Sequence, residues 1–388
     1  MSVSCPSSAL GEVWFGRGRL DDLPGYLARR AVTSCLLVTG GRSFQDSGAE
    51  ARLDRVLHGI RVVHRGGVPP NPPAEYVAEG VGVLRRSAVD AVIAVGGGSV
   101  LDAGKLIAGL AAQPGPPGDY LVVRRSLLVP ARRATLVLVP TTGGSGSEAT
   151  SIAVVTVRGR KTSLQHEVLR ADLSVVDPEL SWAAPPALTA SCGLDALSHA
   201  VESYWSVAAT ETSRSRAATA IPLAARNLVA ASTAPSPDAR AAMSRAALFA
   251  GQAIEATQTT AAHALSYAMT TTYGVPHGHA CALFLGAFLE YNAGVTDADV
   301  ADERGAEFVR ARIREVLSLL GVASAADGRA LVEGMLRRTG LGHRLSAFGV
   351  RARDLADLAD AGLRSPRIAN NPRRVGRNTL LGLLSGLL

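Results

Sequence analysis

"AVIAVGGGSVLDAGKLIAG" (91–109) reads as a strand, a glycine turn and a helix in quick succession. The β-branched apolar run suits a strand buried on both faces. Gly96, Gly97 and Gly98 allow close backbone approach to a ligand and are expected to take positive φ. Ser99 is expected to cap the helix that follows. A helix N-terminus behind a glycine turn is a ready anion site, which suits a nucleotide pyrophosphate. Neither GxGxxG nor a Walker A loop is present, and a ligand-free tight turn is the plain alternative. Asp102 and Lys105 lie on the same helix.

Similar runs flank this one. "CLLVTG" (35–40), "GIRVVHRG" (59–66), "TLVLVPTT" (135–142) and "LSVVDPEL" (173–180) read as strands, with helical spacing between several of them. That alternation predicts a parallel sheet covered by helices. "SIAVVTVRGRKTSLQ" reads as an added hairpin. "LVPTTGGSGSEAT" (138–150) is a second hydroxyl- and glycine-rich turn directly after a strand, offering Thr141, Thr142 and Ser147 to a polar ligand. Two such turns at parallel strand ends predict one ligand crevice at the carboxyl edge of the sheet.

Strand signals stop after about residue 185, and Ala- and Leu-rich helical periodicity takes over. The expectation is an α/β dinucleotide-binding domain over 1–184 and a helical metal-binding and substrate domain over 185–388. At 388 residues, 47% hydrophobic and 19% charged, the chain can bury large cores. No segment has the length and apolarity of a membrane span, and the N-terminus lacks a secretory pattern, so a cytoplasmic protein is expected. Cys5, Cys35, Cys192 and Cys281 form no CxxC pair and read as free thiols. The net charge of +7 is dispersed, and aromatics are only 4%, which argues against nucleic acid. Only two of the 40 basic residues are lysine, Lys105 and Lys161. In so arginine-rich a chain, a lysine suggests a place where a guanidinium does not fit.

The helical half concentrates histidine. "GLDALSHAVESYW" (193–205) puts Asp195 and His199 on one helix face. "TTAAHALSYAMTTTYGVPHGHACAL" (259–283) carries His263, His277 and His279. Asp195, His199, His263 and His277 make one carboxylate and three imidazoles, a set suited to Fe(II) or Zn(II). Taken singly, each histidine could equally be a satisfied core residue.

"GGGSVLDAGK", "PTTGGSGSE", "DPEL", "GLDALSHAVESY" and "GVPHGHA" together resemble, in order along nearly the whole chain, the iron-dependent (group III) alcohol dehydrogenases. Within that family "TTAAHALSY", "TGGRSF" and "NNPR" look closest to phosphonoacetaldehyde reductases. The architecture is shared with dehydroquinate synthases. The resemblance implies a site in the cleft between the two domains, with a metal on Asp195, His199, His263 and His277. It implies a pyrophosphate loop at Gly96–Ser99, Asp102 at the nicotinamide end, Asn71 at the cleft and Lys161 close to the site. It also implies a homodimer.

Two departures from the family pattern stand out. A further histidine, four residues after the third ligand, is replaced here by Tyr267, so proton transfer would use Tyr267, His279, a ribose hydroxyl or water. The acidic residue that often follows the second strand is absent. Gly40, Arg42 and Ser43 stand there instead, and NADP(H) is expected over NAD(H). The implied reaction is metal-dependent reduction of a small aldehyde, phosphonoacetaldehyde to 2-hydroxyethylphosphonate first. Lactaldehyde, butanal, or a dehydroquinate-synthase-like elimination are the alternatives. Asn370, Asn371, Arg373 and Arg374 are the candidate contacts to an anionic substrate.

Overall fold

The computed structural model describes residues 11–122, 128, 129 and 131–388; Cys5 lies outside them. The chain divides into two compact units, Met1–Ala184 and Pro185–Leu388.

The first unit contains β1 (Glu12–Phe15), β2 (Ser34–Thr39), β3 (Arg61–Arg65), β4 (Ala91–Gly96), β5 (Thr135–Pro140), β6 (Ile152–Val157), β7 (Arg160–Gln165) and β8 (Leu173–Val176). Six of them form one parallel sheet in the order β1-β8-β5-β4-β2-β3, and β6 and β7 pair as an antiparallel hairpin. Side-chain alternation divides the central strands between two cores. Leu36, Val38, Val92, Ala94, Leu136 and Leu138 pack on one face. Cys35, Leu37, Ile93, Val95, Val137 and Val139 pack on the other. Strands buried on both faces favour apolar residues at successive positions, which is why they read as largely apolar runs.

From β2 the chain moves outward to β3, then returns across β2 to β4 and continues the other way to β5. The strand order therefore reverses between β2 and β4. The turns carrying Gly40–Ser43 and Gly96–Ser99 both leave the sheet there, where open α/β sheets bind ligands.

The glycine turn differs from the sequence expectation in two respects. None of Gly96, Gly97 and Gly98 has positive φ; Gly97 is extended, at φ −75° and ψ 178°. Close approach is what demands glycine. A Cβ on Gly96 would lie 2.5 Å from Val100 Cγ2, and one on Gly98 2.8 Å from Ser145 Oγ. Nor does Ser99 cap the helix Gly98–Leu110. Its Oγ accepts the Asn71 N–H at 3.1 Å, tying the turn to the loop Pro69-Pro70-Asn71-Pro72-Pro73. Asn71 takes the left-handed region, φ 52°, which asparagine tolerates better than most residues.

The second unit is helical. Its principal helices are Pro186–Trp205, Glu211–Thr233, Pro237–Thr257, Ala261–Tyr273 and His277–Ala293, with shorter ones following. The helix His277–Ala293 is buried continuously from Gly278 to Leu289. Small residues let it sit at the centre of the bundle. A Cβ on Gly278 would fall 2.0 Å from Ser191 O and 2.6 Å from Asp195 Cβ, so the backbones of two helices touch at that point. Among the described residues, no helix is long and apolar enough to cross a membrane.

Candidate metal centre and cofactor turns

Helical spacing places Asp195, His199 and Glu202 on one face of Pro186–Trp205, and all three are buried. The close approach at Gly278 delivers His277 to the same spot, and His263 comes from the first turn of Ala261–Tyr273. The Nε2 atoms of His263, His199 and His277 lie 3.5, 3.9 and 4.0 Å from one oxygen, Asp195 Oδ1. The rings of His199 and His263 stack at 4.7 Å. Asp195 Oδ1 and His263 Nε2 are buried without a hydrogen-bond partner. Leaving such atoms unmatched is costly, and a cation between them would satisfy both. The mixed oxygen and nitrogen donors fit Fe(II) or Zn(II).

The electrostatics agree with a ligand set. Burial alone would raise the Asp195 carboxyl, but the imidazoles of His199, His277 and His263 outweigh it and hold it well below the usual range. Burial pushes His199 down to about 4, against the pull of Asp195. Its ring is therefore neutral near pH 7, the form that binds metal. His263 goes the other way: against burial, Cys281, Glu202 and Asp195 favour its charged form.

Two residues here escaped the sequence reading. Cys281 lies one helical turn beyond His277. Its Sγ joins the donor atoms of Asp195, His263 and His277 in a group whose members all lie within 4.8 Å of one another. Glu202 is completely buried. Its Oε1 accepts from Thr260 N at 3.1 Å, Thr260 Oγ1 at 2.6 Å and Ala262 N at 3.1 Å, closing the start of the helix Ala261–Tyr273. Its Oε2 accepts from His263 Nδ1. The available signal was spacing: Glu202 stands seven residues after Asp195, a charge on the same face of an apolar helix.

Tyr267 stacks on His277, with ring centroids 5.7 Å apart and planes at 30°. His279 is turned elsewhere, as its position two residues after His277 requires. Its Nε2 bonds Gly342 O at 2.6 Å and its ring packs on Phe348. The C-terminal candidates hold protein acceptors. Arg373 pairs with Asp299 at 2.7 Å and donates to Tyr291 O. Asn371 exchanges bonds with Asn292, Asn370 donates to Thr259 O at 3.0 Å, and Arg374 reaches Ala298 O at 3.4 Å.

In the first unit, Asp102 Oδ1 accepts from Ser147 Oγ at 2.5 Å and Oδ2 from Val154 N at 2.9 Å. Burial raises its carboxyl, opposed by Lys105, Ser147, Val154 and Lys161, the last on β7. Lys105 is fully buried, and its Nζ donates to Ser147 Oγ, Thr150 Oγ1 and Ile152 O at 2.8, 3.0 and 2.8 Å. It is a staple between the two turns, a tight place of the kind its survival as lysine suggested. Thr141 is buried, with its N–H on Gly96 O at 3.0 Å, and Thr142 lies beside Gly97.

Both units resemble known proteins. Residues 11–178 match the iron-containing alcohol dehydrogenase family, and residues 189–388 match the C-terminal domain of the Fe-containing alcohol dehydrogenase family. The phosphonoacetaldehyde reductase of Streptomyces viridochromogenes is 36% identical over 338 residues, 85% of this chain and 83% of that one. The sulfoacetaldehyde reductase of Bilophila wadsworthia is 34% identical over 307 residues, 76% of each chain. Among solved structures, the sulfoacetaldehyde reductase of Bifidobacterium kashiwanohense in complex with NAD+ superimposes with a TM-score of 0.88 at 27% identity, covering 99% of this chain and 98% of that one. Family match, parallel sheet and helical carboxylate–histidine cluster lead to one conclusion: the chain belongs to the iron-containing alcohol dehydrogenase family, whose members are oxidoreductases.

Proposed function

We propose that the protein is a metal-dependent aldehyde reductase that converts phosphonoacetaldehyde to 2-hydroxyethylphosphonate, with NADP(H) preferred over NAD(H). The observation that carries the metal reading is the buried, unpartnered Asp195 Oδ1 with three imidazole Nε2 atoms around it. Asp195, His199, His263 and His277 would hold Fe(II), with Zn(II) as the alternative. The 36% identity to a phosphonoacetaldehyde reductase supports the substrate.

When bound, the metal supplies a Lewis acid for the aldehyde oxygen and the nicotinamide supplies hydride. The chain's own residues do the rest. Glu202 fixes the His263 ring through Nδ1 and leaves Nε2 directed at Asp195 Oδ1. Tyr267, stacked on His277, would pass a proton to the product oxygen. His279 is committed to Gly342 O and is the weaker candidate. Asp102, Asn71, Lys161 and the turns of Gly96–Ser99 and Thr141–Ser147 would hold the cofactor. Gly40, Arg42 and Ser43 would receive its 2′-phosphate. Among the described residues β1 pairs only with β8, which leaves a sheet edge on which a second copy would form a homodimer. A cytoplasmic location fits a nicotinamide-dependent reaction.

The deciding experiment strips metal with a chelator, reloads Fe(II) or Zn(II), and compares kcat/KM for phosphonoacetaldehyde and propanal with NADPH and NADH. Activity that survives chelation refutes the metal role. A strong NADH preference refutes the cofactor reading.

A further inference from the structure

The sequence pointed to Asn370, Asn371, Arg373 and Arg374 for an anionic substrate, yet these side chains are engaged by the protein. Arg367, six residues before Arg373, is placed differently. It is buried, at 8% exposure, in the short 3-10 helix Pro366–Asn370. Its Nη1 donates to Thr259 Oγ1 at 2.7 Å. Its guanidinium lies over the Tyr267 ring, 5.5 Å from the centroid, and that ring in turn stacks on His277.

No carboxylate among the described residues pairs with Arg367. A buried guanidinium without a counter-charge is expensive. One hydrogen bond and one ring face engage only part of its five-donor fork. The remaining donors match a tetrahedral oxyanion, which a guanidinium can grip with two parallel bonds. The stack of Arg367, Tyr267 and His277 keeps this cation beside the carboxylate–histidine cluster. A substrate held there would present its carbonyl oxygen at one end and its anion at the other.

We infer that Arg367 is the anchoring residue for the anionic group of the substrate, a phosphonate or sulfonate carried by a small aldehyde. This rests on the metal-dependent aldehyde reductase reading and adds the residue that would recognise the anionic group of the substrate. The guanidinium makes no bond to the reacting carbon. It selects aldehydes with an oxyanion over uncharged aldehydes of the same size.

The test uses the metal-loaded, full-length protein and its variants Arg367→Met, Arg367→Lys and Arg374→Ala. The readout is the ratio of kcat/KM for phosphonoacetaldehyde to that for propanal, with sulfoacetaldehyde as a parallel arm. Arg367→Met should lower the ratio by about a hundredfold or more, and Arg367→Lys by about tenfold. In Arg374→Ala the ratio should stay at the parent's. Methylphosphonate should compete with propanal in the parent. Calorimetric titration should show it binding the parent and not Arg367→Met, which decides the matter even where no aldehyde turns over. A ratio that holds in Arg367→Met, or methylphosphonate that fails to bind the parent, overturns the assignment. So does a loss confined to the KM for NADPH, which would give the anion to the cofactor. Collapse of the ratio in Arg374→Ala alone would return the role to the C-terminal arginines. A sulfoacetaldehyde preference that disappears in Arg367→Met upholds the anchor and refutes phosphonoacetaldehyde as substrate. Metal-dependent propanal reduction with no preference for either anion removes the anchor and leaves the reductase reading standing.

Discussion

Glu202→Gln separates two jobs that one carboxylate performs. Oε1 closes the start of the helix Ala261–Tyr273 through Thr260 and Ala262, and Oε2 accepts the hydrogen bond from His263 Nδ1. Glutamine keeps an acceptor for the first job and puts an NH2 donor where the second needs an acceptor. Two donors cannot face each other, so the ring is driven to carry its proton on Nε2, the atom 3.5 Å from Asp195 Oδ1. Metal binding must then displace that tautomer. Losing such an orienting partner costs about 10–100-fold in metal affinity, or roughly 1.4–2.7 kcal/mol. The cap survives with a neutral acceptor, so the metal-free fold should lose only about 1–2 kcal/mol. Competition between the protein and a chromophoric chelator for Zn(II) or Co(II) measures the affinity. Urea unfolding of the metal-free protein measures the fold. Thr260→Val is the counterpart. It removes a hydroxyl that donates to Oε1 at 2.6 Å and accepts from Trp205 Nε1 at 3.1 Å, but it leaves Oε2 alone. That variant should lose stability and hold its metal. If Glu202→Gln binds metal as tightly as the parent, the orienting role of Glu202 is wrong.

Three further outcomes follow from the geometry. Tyr267→Phe should reduce kcat by about a hundredfold or more while KM changes little, as steady-state kinetics would show; an unchanged kcat removes Tyr267 from proton transfer. The raised pKa of His263 means that the proton on this ring stabilises the metal-free fold at low pH, and that this contribution is lost as pH rises through the folded value. Metal competes with the same proton, so affinity should rise with pH across the neutral range, with proton release visible in calorimetry run in buffers of different ionisation enthalpy; a pH-independent affinity would contradict this. Lys105→Arg should destabilise the protein by about 1–3 kcal/mol in thermal or urea denaturation, because three acceptors close around a compact ammonium and leave no space for a planar fork; a neutral effect would mean that the surroundings yield more readily than their burial implies.

The parallel sheet was legible because the central strands are largely apolar on both faces and a glycine or proline closes each one or follows within two residues, so pattern and packing coincide. Asp195 and His199 were legible because helical spacing alone puts them on one face. Where the sequence reading fell short, the deciding contact was distant in the chain. Ser99 carries the residue type of a cap, but Asn71 is what it meets. Lys105 has the charge of a ligand contact, but Ser147, Thr150 and Ile152 surround it. Arg367 carries no compositional signal in a chain with 40 basic residues, nearly all of them arginine. Only its burial and its place over Tyr267 distinguish it from Arg373 and Arg374, which sit in a far more conspicuous motif. Periodicity reports which face a residue occupies and says nothing about which partner waits there.

The loop around Asn71 has a consequence in entropy. Four prolines flank it, each of which restricts the unfolded chain more than the folded one and contributes about 0.4–1 kcal/mol where its conformation fits. Asn71 is then held from both sides, by Ser99 through its N–H and by Thr156 through its carbonyl. The ordering of this loop is therefore borne by folding and not by ligand association. On the proposed cofactor site, a nucleotide against the glycine turn would meet a wall already set, and little of its binding free energy would be spent on quieting the chain.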